Sequence, residues 1–94
     1  MTNKEYSDKC REFFRLGSNL SYAAPEIIKK NVLKYGAIMF DEEDGFSLDD
    51  GNWVTGIRSD EIVFLGGDTC KIEYLSDDDR ITVAEAVLDY VEGL

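Results

Sequence analysis

Histidine is absent from all 94 residues. That removes the general base best tuned to neutral pH, the Ser/His/Asp and Cys/His nucleophile arrangements, and most zinc sites. Cysteine is scarce: Cys10 and Cys70 lie too far apart for a CxxC redox pair and are too few for a four-ligand metal site. Cys10 falls on an apolar helical stripe and reads as a small buried hydrophobe. Long apolar runs are missing too, since Ile62-Val63-Phe64-Leu65 is far below the roughly 20 residues of a membrane span. The basic N-terminus runs into an amphipathic stretch and not into a secretion signal, so a soluble, cytoplasmic protein with reduced thiols is expected. In that setting the acceptor-like Asn19-Leu20-Ser21 is accidental. Without linker, repeat or low-complexity tract, residues 1–94 are expected to form a single α+β domain.

Basic residues are also few, and they are unevenly placed. Twenty carboxylates face ten lysines and arginines, a formal charge of −10. Residues 1–35 hold seven cations against four carboxylates, a balance of +3, whereas residues 36–94 hold three cations against sixteen carboxylates, a balance of −13. Nucleic acid and anionic lipid are therefore poor direct partners, and a basic protein surface is a good one. The 44% hydrophobic and 12% aromatic content is that of a folding chain.

Thr2-Asn3-Lys4-Glu5 has the form of a capping box, followed by Tyr6, Cys10, Phe13, Phe14 and Leu16 at helical spacing, which predicts a helix over about 3–16 ending before Gly17. A second helix is predicted from Pro25, a residue suited to the first helical position, through Ile27, Ile28, Val32 and Leu33 to Tyr35, with Gly36 as its stop. The period then turns extended. Residues 37–40, 46–48, 53–55, 61–65 and 69–75 read as short strands, with the Asp-Gly pair of residues 49–52 as a hairpin signal. In the last strand Cys70, Ile72 and Tyr74 are expected on the buried face. A third helix is expected just after Asp77-Asp78-Asp79, with Thr82-Val83-Ala84-Glu85 as its capping box and Ala84, Val87, Leu88 and Val91 as its stripe. The expected fold is two N-terminal helices, an antiparallel meander sheet of four or five strands, and a C-terminal helix packed on one face.

Carboxylate pairs of the glycosidase kind need a cleft and a raised pKa, whereas these acids cluster in turns where water keeps them ionised. An EF-hand fails on spacing, because Gly45 or Gly51 at the sixth place puts Phe40 or Phe46 at the first. A looser, weak divalent-cation site within 41–50 is the remaining metal reading. Gly66-Gly67 belongs to no phosphate-loop motif and reads as a turn. No enzymatic activity and no cofactor are expected.

Recognition is what the residues support. Asp41, Glu42, Glu43, Asp44, Asp49 and Asp50 flank two turns beside Phe46 and Trp53, and Asp77, Asp78 and Asp79 add three carboxylates at a helix start. Aromatic anchors within acidic rims suit a basic partner, and ten excess charges exceed the magnitude of about 2 to 8 that solubility alone asks of a small domain. The alternative for Trp53 is a core anchor, with the acids conferring solubility. In size, charge and lack of histidine the chain resembles inhibitors of phages and mobile elements, such as nucleic-acid mimics and anti-CRISPR proteins, and immunity proteins that neutralise nuclease toxins. The likeness implies a non-catalytic binder that masks a nuclease or nucleic-acid-binding protein by occupancy. It rests on no motif and assigns no residue a role. A homodimeric regulatory or assembly module joined through the sheet, or through Phe13 or Phe14, is the second reading.

Overall fold

The computed structural model describes residues 1–16, 20–41 and 43–94, with side chains placed outside 15–22 and 42. Helices α1 (Asn3–Leu16) and α2 (Leu20–Tyr35) precede strands β1 (Ile38–Met39), β2 (Phe46–Ser47), β3 (Trp53–Arg58), β4 (Glu61–Phe64) and β5 (Thr69–Lys71). A 3-10 turn (Ile72–Tyr74) then leads into α3 (Asp77–Glu92). The α+β class, the two leading helices, the antiparallel sheet and the closing helix are those the patterning implied. Gly17, Asn19 and Glu42, and the side chains of Leu16, Leu20 and Ser21, each given a part above, lie outside the described residues.

The sheet is built on β3. Strands β3, β4 and β5 form an antiparallel meander, while β1 and β2 both pair with the free side of β3. Ile38 faces Ile57 and Met39 faces Gly56, whereas Phe46 faces Val54 and Ser47 faces Trp53. The two short strands are thus one edge strand, interrupted by the acidic segment 41–45. Opposite them, the register between β3 and β4 slips at Thr55. This bulge explains how Val54 and Ile57, three residues apart, are both fully buried: one extra residue returns the alternation to the same face. Cross-strand pairing then puts Ile38, Phe46, Val54, Ile57, Ile62, Phe64 and Cys70 on the face toward the helices, and Met39, Ser47, Trp53, Val63 and Thr69 on the other.

The helices close that inner face. Cys10 and Phe14 from α1, Ala23, Ala24, Ile27 and Ile28 from α2, and Val83, Ala84, Val87, Leu88 and Val91 from α3 share one core with the sheet. Each large aliphatic side chain buried there contributes about 1.5–3 kcal/mol. Two polar groups are fully enclosed as well: Ser7, whose hydroxyl donates to the Leu88 carbonyl (3.3 Å), and Asn31, whose amide donates to the Ile27 carbonyl (2.8 Å). The first joins α1 to α3, and the second lies within α2.

Three local expectations are corrected. Helix α2 begins upstream of Pro25, which sits inside it. The proline forfeits only the bond to the Ser21 carbonyl, one turn from the helix start, and burial of Ala23 and Ala24 offsets the loss. The strand expected over 69–75 ends at Lys71. Ile72 is buried and its amide donates to the Asp60 carbonyl (2.9 Å), but the chain then coils out of the sheet plane and leaves Tyr74 75% exposed. Helix α3 begins before Thr82: Ser76 is its N-cap, accepting from the Asp79 amide (3.2 Å), and Asp77, Asp78 and Asp79 form its first turn. Thr82 caps nothing, since its hydroxyl donates back to the Asp78 carbonyl (3.0 Å). The Thr2 cap is formed as expected, with Glu5 N donating to Thr2 Oγ1 (3.1 Å).

Candidate interaction face

The acidic segments are attached to the two ends of α3. Around the hairpin turn, Leu48 N donates to the Asn52 carbonyl and Gly51 N to the Leu48 carbonyl, both at 2.9 Å. Asp50 closes the turn by accepting from Asn52 N (2.9 Å) and Nδ2 (2.8 Å). The neighbouring Asp49 amide donates to Asp79 Oδ1 (3.2 Å), which fastens the turn to the start of α3. Asp49, Asp50, Asp77, Asp78 and Asp79 therefore sit together around a helix N-terminus, whose unpaired amides favour negative charge. Asp77 is paired with Arg80.

Segment 41–45 lies at the other end of α3. Asp44 N donates to the Asp41 carbonyl (2.8 Å), folding the segment into a turn that leaves Asp41, Glu43 and Asp44 exposed. Behind it a groove of about 740 Å³ separates the edge strand from the C-terminal half of α3, with Asp41, Asp44 and Asp89 among its lining residues. Its aromatic lining is interlocked: Phe40 meets Phe46 edge to face at 5.7 Å and Tyr90 at 5.4 Å between centroids. Phe46 is half-buried there, on the helix side of the sheet.

Trp53 belongs to a different surface. It pairs with Ser47 on the face away from the helices, and its half-buried indole covers the backbone of Gly45. The structure thus groups Phe46 with the groove and places Trp53 on the opposite side, so the two do not form one apolar contact.

Four cations of the opening helices are engaged, one of them, Arg11, with a carboxylate that lines the groove. Arg11 reaches Asp89 (2.5 Å) and Glu92 (3.4 Å), and Lys4 reaches Asp8 (3.5 Å) and Glu92 (3.3 Å). Partial burial pulls the Arg11 pKa down, but hydrogen bonding and attraction to Asp89, with Glu92 adding, outweigh it, and the net shift is upward. The Lys30 ammonium lies 4.5 Å above the ring of Phe13 and that of Lys34 lies 3.7 Å above Tyr6. Among the described residues, no lysine or arginine pairs with Asp41, Glu43, Asp44, Asp49, Asp50, Asp78 or Asp79.

Other candidates fare differently. Among the described residues no three carboxylates or thiolates converge as a metal site, within 41–50 or elsewhere. Both thiols are free, Cys10 buried and Cys70 half-buried. Phe14 lies in the core, so only Phe13 of the two phenylalanines offered for dimerisation is exposed. No described helix is long and apolar enough to cross a membrane. The groove residues Ala86, Asp89, Tyr90 and Leu94 were not singled out from the sequence. Ala86 and Tyr90 recur at i, i+4 as a second stripe beside the buried one, and that spacing is the signal that marks them.

The chain matches no protein-family model, and neither a curated protein nor a solved structure is significantly similar to it.

Proposed function

We propose that this chain is a non-catalytic, stoichiometric binder whose acidic face occupies the basic groove of a nucleic-acid-handling protein and blocks it. The supporting observation is the attachment of both acidic segments to α3. Asp49 is hydrogen-bonded to Asp79 at one end, and Asp41 and Asp44 border the groove at the other, and among the described residues no lysine or arginine pairs with any of the four. Fixed carboxylates on a scaffold imitate the spaced charges of a phosphate backbone without its flexibility, and they speed association with a cationic surface. A nuclease or a nucleic-acid-binding protein is the partner class, including a toxin nuclease held in check by an immunity protein.

Mixing the immobilised chain with a lysate at rising salt tests this reading. The expected result is capture of a basic protein that weakens steeply between about 0.05 and 0.5 M salt and is displaced by duplex DNA. Replacing Asp41, Asp44, Asp49 and Asp50 by asparagine should abolish capture while leaving the fold intact. Capture indifferent to salt, or unaffected by the four replacements, would overturn it.

A further inference from the structure

We infer that the groove between the edge strand and α3 receives an apolar side chain flanked by arginine or lysine, carried on a segment of the basic partner. This deepens the reading above and rests on it. Three features of the groove select that occupant. First, its lining includes an aromatic cluster, with Phe40 meeting Phe46 and Tyr90 edge to face, and Ala86 lines it as well. Second, apolar surface along it remains uncovered, since the lining residue Leu94 is 57% exposed. Third, every charged residue lining it is a carboxylate: Asp41, Asp44 and Asp89. Asp89 is shared with Arg11 yet its side chain stays 73% exposed, and Asp41 and Asp44 have no cationic partner among the described residues. An apolar ligand alone would leave these carboxylates unused, and a polycation alone would leave the aromatic rings in water. A hydrophobic residue between two cations satisfies both, and a cavity of about 740 Å³ falls in the size range of ordinary ligand clefts. Such a pocket concentrates binding energy in one anchor, while the hairpin turn and the start of α3 supply diffuse attraction.

The test uses the whole chain, labelled for amide NMR, and three short synthetic peptides. One has a Leu-Phe pair between Lys-Arg pairs, one has Gly-Ser in place of Leu-Phe, and one has glutamate in place of every cation. The first peptide should move the amides of Phe46, Ala86, Tyr90 and Leu94, and bind about tenfold more tightly than the Gly-Ser peptide, the ratio expected for burying one anchor. The glutamate peptide should not bind. Leu94→Ser, an exposed replacement that leaves the core untouched, and Ala86→Trp, which fills the groove, should each remove most of that tenfold preference. Asp41→Asn and Asp44→Asn should weaken both cationic peptides by about two- to threefold each. Equal affinity for the two cationic peptides, with shifts confined to residues 49–50 and 77–79, would overturn the groove assignment while leaving the acidic-face reading standing. Groove amides that move with protein concentration alone would also overturn it, by showing that a second copy covers the site. Absence of binding by all three peptides would overturn it too, and the lysate experiment would still judge the broader reading by itself.

Discussion

Gly45 has no space for a side chain. A Cβ built on it would stand 2.5 Å from the Val54 carbonyl oxygen and collide with the indole nitrogen of Trp53. Gly51 contrasts with it: nothing surrounds the position, but its φ of +87° lies where L-residues are strained. Gly45→Ala is therefore expected to cost about 1–3 kcal/mol through overpacking against backbone, and Gly51→Ala about 1 kcal/mol through backbone strain alone. Denaturant titration followed by the fluorescence of Trp53, the chain's single tryptophan, measures both, and the larger loss should fall at Gly45.

Tyr6 offers a second test at this scale. Burial, with the neighbouring Cys10 thiol and Tyr35 adding, pushes its phenol up to about 12 from an ordinary value of 10. The folded state thus favours the neutral phenol. Its contribution to stability is complete below pH 10 and is lost as pH rises from 10 to about 12. Tyr6→Phe should flatten the decline in stability over that interval, and ultraviolet titration of the native protein should show one phenol ionising late. A wild-type and variant decline of equal slope would contradict the assignment.

Among the elements, α3 holds the acidic segments in place. Ser76→Ala removes its N-cap and should cost about 1 kcal/mol. Asp79→Ala removes the acceptor that holds the Asp49 amide. Hydrogen exchange at Asp49 should accelerate in Asp79→Ala, while exchange at Val87 and Leu88 in the core keeps its protection relative to global stability. Exchange at Asp49 equal to that of the wild type would show that the turn is held by other means. Structure departs from local sequence pattern mainly at element ends, for identifiable reasons. Pro25 is a good helix starter locally, but buried Ala23 and Ala24 favour one more turn ahead of it. The alternation of Cys70, Ile72 and Tyr74 is a real strand pattern, broken because the chain must leave the sheet to reach α3. Two capping sequences competed for the start of α3, and Ser76 captured the Asp79 amide before Thr82 could act. Where periodicity was strong, as for Cys10 and Phe14 or Val87, Leu88 and Val91, residues expected inside are inside.

For the molecule as a whole, ten uncompensated charges on 94 residues imply self-repulsion in the folded state. Raising salt from about 0.01 to 0.3 M shrinks the Debye length from about 30 Å to below 10 Å, so the melting temperature should rise with sodium chloride in calorimetry. A fall would mean that the pairs of Arg11 and Lys4 with α3 outweigh the general repulsion. The acidic character of the site could be read from the sequence, because charge needs no coordinates. Its geometry could not. The hydrogen bond between Asp49 and Asp79, the separation of Phe46 from Trp53, and the groove facing Ala86 and Tyr90 all depend on β1 and β2 lying end to end along β3, a pairing between residues distant in sequence.

That end-to-end arrangement also decides how the sheet meets other chains. One border is cut in two by residues 41–45, and the other stops at Lys71 where the backbone coils away. A foreign strand would find only two or three residues in register before the template ran out, and on the first border it would meet a fence of carboxylates. Fibril growth by strand addition is thereby disfavoured at both margins.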